Sequence, residues 1–288
     1  MNSILSVSNL TRHYPGFTLD HVSFSIPTGS IVGLIGENGA GKSTVIHSIL
    51  DLIRKDEGSV TFLGQPLTGN NREQKEKIGV VFDEICFYET LTPQKIGKIC
   101  SDAYYNWDTS VYQSFLERFA LPPDKEVKTF SKGMKMKLSI AAALSHHPSL
   151  LILDEATSGL DPVVRDDILD VFLDFIQDES HSILLSSHIS SDLEKIADYI
   201  AFLHEGKLKF FLPKDELLYQ YGIIRCSDDV FQKIPEQEIL AFRRNGYQWE
   251  VLTADKAAAR HRYRGNTIVD DICIDDLLLL YVKGEHLK

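Results

Sequence analysis

Four short, largely apolar segments stand out in the pattern of hydrophobic and polar positions. They are IVGLI (31–35), IGVVF (78–82), LLIL (150–153) and SILLSS (182–187). Runs of this length are typical of strands that are buried on both faces of a parallel sheet. The carboxyl ends of parallel strands share one edge of the sheet, so we expect Asp154 and His188 to emerge beside the turn that begins at Gly36.

Helical periodicity separates these segments. Apolar residues recur at helical spacing in STVIHSILDLI (43–53) and DDILDVFLDFIQDES (166–180). The stretch from about residue 85 to 148 predicts a largely helical insertion. In it, Thr92 and Pro93 fit a helix start, with a capping residue followed by proline at the first helical position. The pattern as a whole predicts an α/β domain over residues 1–214.

The remaining chain, residues 215–288, predicts a small α+β accessory domain. PKDELLYQYG resembles a linking helix closed by Gly222. Asn245-Gly246 lies between two strand-like runs and predicts a hairpin. DICIDDLLLLYVKG predicts a terminal helix that acids begin and Gly284 ends. No phosphate or metal motif occurs here, which favours a structural or dimerising role over ligand sensing.

Composition narrows the classes of function. The chain has 288 residues and a formal net charge of −11, which argues against a nucleic-acid-binding surface. The N-terminus lacks the pattern of a signal peptide, and no apolar stretch approaches the ~20 residues of a membrane span. The spacing of Cys86, Cys100, Cys226 and Cys273 indicates neither disulfides nor a metal site, so a reducing cytosolic setting is expected.

The first apolar segment leads into a complete phosphate-binding pattern: Gly36, four residues, then Gly41-Lys42-Ser43. Glycines let the backbone turn its N–H groups towards an anion, and the next helix points its N-terminus at the same place. Lys42 is expected to contact the β- and γ-phosphates, and Ser43 to bind Mg²⁺. A purely structural turn would require neither residue. The predicted nucleotide-binding residues are Gly36, Glu37, Asn38, Gly39, Ala40, Gly41, Lys42, Ser43 and Thr44.

Two acids, Asp154 and Glu155, follow the third apolar segment. In P-loop NTPases an acid at the end of such a strand holds Mg²⁺, which we expect of Asp154. Neighbouring side chains of an extended chain face opposite sides, so Glu155 is placed to act as general base on an attacking water. A helix cap or a simple turn is the alternative for this pair.

His188 ends the fourth segment. Its imidazole is expected to donate a hydrogen bond to the γ-phosphate. The alternative is a histidine packed in the core.

Residues 130–161, FSKGMKMKLSIAAALSHHPSLLILDEATSGLD, resemble the ABC-type ATPases. The signature segment runs from Phe130 to Met134 and resembles the family's LSGGQ. Ser131 and Gly133 match this pattern, whereas Phe130, Lys132 and Met134 depart from it. The resemblance extends over residues 1–212.

The resemblance implies a P-loop core with an N-terminal antiparallel β lobe and a helical subdomain. It further implies a dimer in which the signature of one subunit completes the ATP site of the other.

Further site residues follow from the same resemblance. Tyr14 occupies the position of the aromatic that stacks on adenine, although a surface tyrosine on a strand edge is the alternative. Ser158-Gly159-Leu160-Asp161 resembles the D-loop, through which the subunits sense each other. Glu155 matches the family's catalytic base, and His188 matches its switch histidine.

Asp83 stands where the family ordinarily has a glutamine whose amide oxygen approaches Mg²⁺. Phosphate alone would repel a carboxylate, but beside Mg²⁺ a carboxylate is a suitable hard ligand. We therefore interpret Asp83 as a Mg²⁺ ligand. Two alternatives remain: Asp83 caps the next segment and faces solvent, or Glu84 takes this position in a shifted register.

The signature variant, with lysines at 135 and 137, resembles the ATPases of ABC-2-type exporters. This implies ATP and Mg²⁺ as cofactors, separately encoded integral membrane permease subunits that contact the helical insertion, and a peripheral location at the cytoplasmic face of the membrane. A second, identical ATPase subunit is favoured over a different one. The rival interpretations are a non-transport ABC ATPase and a regulatory protein that uses ATP mainly as a dimerisation clamp.

Overall fold

The computed structural model describes residues 2–68, 71–263, 265 and 267–285. Contacts divide the chain into two compact units, Met1–Phe211 and Leu212–Lys288. Within the described residues, no helix is both long and apolar enough to span a membrane.

The first unit contains both strands and helices. Its strands are β1 (Ser3–Tyr14), β2 (Phe17–Pro27), β3 (Ile31–Ile35), β4 (Glu57–Phe62), β5 (Gln65–Pro66), β6 (Ile78–Val81), β7 (Leu150–Asp154), β8 (Ser182–Ser187), β9 (Tyr199–His204) and β10 (Lys207–Pro213), the last of which ends just beyond the unit. Its helices are α1 (Lys42–Ile49), α2 (Arg72–Lys75), α3 (Pro93–Ala103), α4 (Thr109–Arg118), α5 (Lys132–Leu144), α6 (Pro162–Phe175) and α7 (Ser190–Ile196), with a 3₁₀ turn at Val127–Thr129.

A six-stranded sheet in the order β10-β9-β3-β8-β7-β6 forms the centre of this unit. The strands from β9 to β6 pair in parallel. All residues of β3, β7 and β8 are buried, as expected for a parallel sheet that is covered on both faces. Ile35 pairs with Ser187 and Asp154 with Ser186, so the three strands end level with one another.

A second, antiparallel sheet in the order β2-β1-β4-β5 forms the N-terminal lobe. It shares one hydrophobic core with α1 and the parallel sheet. The core includes Leu5, Leu10 and Phe62 from the lobe, Val45 and Ile46 from α1, and Val32 and Ile152 from the parallel strands. The fold is therefore the predicted one: a P-loop core with an antiparallel lobe.

Helix α1 is shorter than the apolar pattern of residues 43–53 predicts. It ends at Ile49, and Asp51 adopts a left-handed backbone conformation with φ 57°. The amides of Leu52 and Ile53 both bond back to the carbonyl of His47. The last apolar residues of the pattern therefore belong to a turn rather than to the helix.

The insertion after β6 is helical, as predicted. Thr92 caps α3 by accepting a hydrogen bond from the Lys95 amide at 3.3 Å, and Pro93 takes the first position. Helices α3 and α4 approach closely at Gly97, where an added Cβ would lie 2.6 Å from the Tyr112 ring.

The second unit contains β11 (Gly222–Cys226), β12 (Ala241–Asn245), β13 (Gln248–Thr253) and β14 (Ile268–Asp271) in the antiparallel order β12-β13-β11-β14. Its helices are α8 (Lys214–Gln220), α9 (Asp228–Phe231), α10 (Lys256–Arg262) and α11 (Ile274–Lys283), with a 3₁₀ turn at Glu236–Glu238. Asn245 pairs with Gln248, so the predicted hairpin turns at Gly246 and Tyr247, one residue later than the Asn-Gly pair.

The predicted role of Gly222 as a helix end is wrong. Helix α8 ends at Gln220, Tyr221 is extended, and Gly222 is the first residue of β11. An added Cβ at this position would lie 3.0 Å from the Asp270 carbonyl oxygen and 3.1 Å from Lys256 Cβ. Close packing around the strand, rather than helix termination, explains the glycine.

Candidate functional site

The loop between β3 and α1 has the geometry of a phosphate cradle. Gly39 and Gly41 have φ values of 84° and 107°, which glycine adopts without strain. At Gly36 an added Cβ would lie 2.2 Å from the Leu203 carbonyl oxygen, so a side chain has no room. Ala40 is buried, and its carbonyl accepts a hydrogen bond from the Gly206 amide. The loop thus exposes its backbone at the N-terminus of α1.

A cavity of about 390 Å³ opens above this loop and is here called the P-loop cleft. It is lined by Phe17, Glu37, Asn38, Gly39, Gly41, Lys42, Ser43, Thr44, Asp83, Glu155, Ser158 and His188. Residues from five separate parts of the chain therefore converge, and they include most of the predicted nucleotide-binding residues. Gly36 and Ala40 lie buried beneath the loop.

Glu155 lies between two nitrogen groups of the cleft. Lys42 Nζ is 3.2 Å from Glu155 Oε1, and His188 Nδ1 is 2.6 Å from Glu155 Oε2. Lys42 also donates to the Gly36 carbonyl at 2.8 Å. An ionised carboxylate only accepts hydrogen bonds, so the proton of this imidazole contact resides on Nδ1. Lys42, Glu155 and His188 thus form one connected group.

The backbone at Glu155 is left-handed, with φ 54°, an uncommon conformation for a non-glycine residue. Its N–H donates to the Ser186 carbonyl at 3.2 Å and to Ser186 Oγ at 3.0 Å. The Ser186 hydroxyl in turn donates to Asp154 Oδ1 at 2.6 Å. Asp154 is 5% exposed and Ser186 is fully buried. The sequence motifs contain no signal for Ser186, because its role depends on the pairing of β7 with β8.

Of the two neighbouring acids Asp83 and Glu84, only Asp83 lines the P-loop cleft. Glu84 instead lines a neighbouring cavity of about 500 Å³, to which Asp83, Lys132 and Lys135 also contribute. Of the two possible registers, the geometry favours the one with Asp83 at the cleft. Cys86, close behind these acids, is exposed as a residue, but its thiol is partly desolvated. This desolvation, followed by the charges of Asp83 and Glu84, raises the pKa of the thiol.

Phe17 is the aromatic residue on the wall of the P-loop cleft, and Tyr14, for which stacking on adenine is predicted, lies next to it. Tyr14 ends β1, is 37% exposed and stacks with the Arg12 guanidinium at 5.1 Å. Its ring centroid lies 6.4 Å from that of Phe17. Phe17 packs over Gly41, where an added Cβ would lie 2.8 Å from the ring. No motif or spacing pattern in the sequence singles out Phe17, although it follows Tyr14 closely.

The signature residues lie at the start of α5 and do not line the P-loop cleft of the same chain. Ser131 is the N-cap and accepts a hydrogen bond from the Met134 amide at 3.2 Å. Gly133 is buried against Val164, where an added Cβ would lie 2.9 Å from a methyl group. Lys132 Nζ approaches the D-loop, and an added Cβ at Gly159 would lie 3.0 Å from it.

Asp161 caps α6 by accepting a hydrogen bond from the Val164 amide at 3.0 Å. Its carboxylate is exposed, so it is still accessible to a partner.

A buried polar group joins the D-loop to α7. Asp192 is 3% exposed and lies 3.9 Å from the Arg165 guanidinium. Burial raises the pKa of Asp192, and this rise is opposed by the Thr157 hydroxyl and the Arg165 charge. Arg165 also donates to the Leu160 carbonyl at 3.3 Å. These contacts connect the segment after Glu155 with the segment after His188, and the sequence analysis did not anticipate them.

The donor groups at the cleft fit Mg²⁺. Ser43 and Asp83 line the cleft, and Asp154 lies close by as the last residue of β7, directly before Glu155. Hydroxyl and carboxylate oxygens are the hard ligands that Mg²⁺ prefers. In the described part of the chain, no group of three or more His, Cys, Asp or Glu residues could hold a metal by itself.

Comparisons with known proteins agree with this geometry. The family model described as ABC transporter matches residues 19–158. The bacitracin transport ATP-binding protein BcrA of Bacillus licheniformis is 34% identical over 220 residues, which cover 75% of this chain and 72% of the relative. The lantibiotic transport ATP-binding protein SrtF of Streptococcus pyogenes is 36% identical over 208 residues, which cover 71% of this chain and 89% of the relative.

A solved structure has the same fold. It is described as the ATP binding subunit of an ABC transporter and superposes with a TM-score of 0.68 at 30% identity. The match covers 75% of this chain and 92% of that structure.

Proposed function

The chain belongs to the ABC transporter ATP-binding proteins, and from this premise we propose that it binds and hydrolyses Mg-ATP to drive a membrane exporter. The observation that carries the proposal is the convergence of Lys42, Glu155 and His188 on the P-loop cleft. These are the groups that phosphoryl transfer to water requires: a phosphate-binding cation, a base and a hydrogen-bond donor.

The P-loop binds the phosphates through its backbone N–H groups and the N-terminus of α1. Lys42 contributes a positive charge that is 6% exposed and therefore poorly screened by solvent. Ser43, Asp83 and Asp154 would hold Mg²⁺, which when bound neutralises negative charge on the phosphate oxygens. Phe17 and Tyr14 together supply aromatic rings on which the adenine base of ATP stacks.

Glu155 orients the attacking water and takes its proton. The carboxylate is 16% exposed and lies at the cleft wall, so solvent reaches it without surrounding it. His188 follows β8 directly, and its Nδ1–H, which donates to Glu155 at 2.6 Å, turns to the γ-phosphate when nucleotide binds. Catalysis here is positioning and charge stabilisation, since phosphoryl transfer needs no covalent step from the protein.

A second, identical subunit completes each site. Its Ser131, Lys132, Gly133 and Met134 close the cleft from the opposite side, and Asp161 links the two sites. Each chain carries one P-loop and one signature, so two copies related by a twofold axis contain both parts of two sites. Within one chain Ser131 caps its own helix and lies outside the cleft wall, which supports this arrangement.

The proposal assigns residues 1–214 to the ATPase domain and residues 215–288 to a structural or dimerising accessory domain. The helical insertion, about residues 85–148, contacts separately encoded permease subunits. The protein thus acts at the cytoplasmic face of the membrane. The bacitracin and lantibiotic relatives are named for transport, which supports an exporter of the ABC-2 type.

A phosphate-release assay on the purified chain with Mg-ATP tests hydrolysis. We expect turnover that Lys42→Ala abolishes, with the thermal melting of this variant as the control for folding. Equal phosphate release by both proteins would contradict the proposal. Co-purification of the tagged chain with an integral membrane protein from its native cells tests the coupling to transport.

One observation favours a second candidate function, a regulatory protein that uses ATP mainly as a dimerisation clamp. Lys132 and Met134 stand at signature positions where the family has other residues. The same assay separates the two: a clamp would bind ATP and dimerise while releasing phosphate no faster than the Lys42→Ala variant.

A further inference from the structure

We propose that Ser186 is a positioning residue that sets the geometry of both acids of the site through one hydroxyl group. The proposal rests on the proposed function, in which Asp154 binds Mg²⁺ and Glu155 orients the attacking water. Ser186 itself contacts neither nucleotide nor water in this scheme, and it acts only through the two carboxylates.

The hydroxyl of Ser186 uses both its donor and an acceptor position. It donates to Asp154 Oδ1 at 2.6 Å and accepts from the Glu155 N–H at 3.0 Å. Ser186 is fully buried, so water does not compete for either bond. Hydrogen bonds to an ionised carboxylate are about twice as strong as neutral ones. The bond also fixes Asp154 by one oxygen and leaves the other, Oδ2, for a ligand.

The second bond stabilises an unfavourable backbone conformation. A left-handed backbone is unfavourable for a non-glycine residue, and Glu155 has φ 54°. Its N–H is held by two acceptors of the same residue, the Ser186 carbonyl and the Ser186 hydroxyl. This conformation aims the carboxylate of Glu155 at Lys42 and His188.

Packing alone does not explain a serine at this position. The preceding residues of β8 are Ile183, Leu184 and Leu185, all fully buried. A buried hydroxyl is unfavourable in such surroundings unless it is hydrogen-bonded. An apolar residue would suit the strand better, so the specific gain from Ser186 lies in its two bonds to the acids.

Ser182 provides a matched comparison at the other end of the same strand. It is also fully buried, and its hydroxyl also makes two bonds, donating to the Pro27 carbonyl at 3.2 Å and accepting from the Gly29 amide at 3.1 Å. Those partners lie at the end of β2 and in the turn before β3, at the opposite end of β8 from the acids. Comparing alanine variants of the two serines therefore separates the loss of stability that follows from a missing hydroxyl from the effect of that hydroxyl on the site.

The experiment compares Ser186→Ala with Ser182→Ala in the full-length protein. We expect both variants to lose thermal stability. Only Ser186→Ala should lower kcat, with KM for ATP little changed. The expected loss is about 10- to 100-fold, as is usual for residues that hydrogen-bond to a metal ligand and orient it. Ser186→Thr, which restores the hydroxyl, should recover much of the kcat. Where Ser186→Ala does not fold, Ser186→Cys keeps the volume with a weak hydrogen-bonding group and should show the same loss.

A second readout does not depend on hydrolysis. ATP affinity is measured with Mg²⁺ and with EDTA, and the gain that Mg²⁺ confers should shrink in Ser186→Ala but not in Ser182→Ala. A wild-type kcat together with an unchanged Mg²⁺ effect in Ser186→Ala would overturn the proposal, as would equal losses of kcat in both variants. If the wild-type protein hydrolyses no ATP, the proposed function fails, and the Mg²⁺ effect alone decides the role of Ser186.

Discussion

Glu155 combines a constrained backbone with a carboxylate that two nitrogen groups hold in place. Its left-handed conformation, its contact with Lys42 and its contact with His188 all direct the side chain into the P-loop cleft. Backbone strain of this kind persists where the surrounding structure fixes it, and it is frequent at functional sites. The residue is therefore the most informative single position to change.

We expect Glu155→Gln to keep ATP binding and to lower turnover by about 10²- to 10⁴-fold, the usual contribution of a general base. The amide retains the size of the side chain but does not accept a proton from water. Phosphate release and equilibrium binding of ATP, measured on the same preparation, check both parts. Turnover at the wild-type rate would show that Glu155 is not the base.

Asp83→Ala tests whether this acid serves the metal. We expect the variant to weaken Mg²⁺-dependent hydrolysis more than Mg²⁺-free nucleotide binding, because only the former requires the carboxylate as a hard ligand. Hydrolysis is titrated with Mg²⁺ in both proteins. Glu84→Ala is the matched control, since Glu84 lines the neighbouring cavity instead of the cleft. Identical Mg²⁺ titrations for wild type and Asp83→Ala would refute this role.

Among the helices and strands, the sequence predicts best those elements whose position depends on a single interaction. The strands of the parallel sheet were readable because both of their faces are buried, which requires continuous apolar residues. The end of α1 was not readable, since Leu52 and Ile53 continue the apolar spacing while Asp51 turns the chain. Gly222 was misread because its neighbours Lys256 and Asp270 are distant in sequence.

The site residues also divide into those that the local sequence predicts and those that depend on neighbours distant in sequence. The P-loop could be predicted because its glycines, lysine and serine form one contiguous pattern. Ser186 and Phe17 could not, because their contacts with Asp154 and Gly41 depend on which strands and loops become neighbours. The roles assigned to the individual site residues stay predictions until the variants are measured.

The close approach of α3 and α4 gives a prediction about stability. Alanine ordinarily stabilises a helix interior by about 1 kcal/mol over glycine. At Gly97 we expect the opposite, a loss of about 1–3 kcal/mol from overpacking, because the added methyl group would lie 2.6 Å from the Tyr112 ring. Urea unfolding measures the change. Ser101→Ala on the exposed side of the same helix is the control, and a more stable Gly97→Ala protein would contradict the packing argument.

At the scale of the whole molecule, the separation of the signature from the P-loop cleft within one chain predicts complementation between two inactive variants. Lys42→Ala disables the P-loop. Ser131→Asp keeps a good N-cap for α5 but places a negative charge against the γ-phosphate. In a mixed dimer, one site combines the intact P-loop of the second variant with the intact signature of the first.

We therefore expect each variant alone to be inactive and their mixture to recover hydrolysis, with roughly a quarter of the sites intact if identical subunits exchange at random. Phosphate release before and after mixing measures the recovery. A mixture that stays inactive, although size-exclusion chromatography shows mixed dimers, would argue against sites shared between subunits.

The contact between Lys42 and Glu155 has a thermodynamic consequence for ligand affinity. A buried lysine without a partner is costly, and Glu155 serves as its internal counter-ion at 3.2 Å. Nucleotide binding is then an exchange of anions, in which the phosphates displace a carboxylate that the protein itself supplies. A chain without this carboxylate has no competitor to displace, so Glu155→Gln should bind ATP more tightly than the wild-type protein as well as hydrolysing it more slowly.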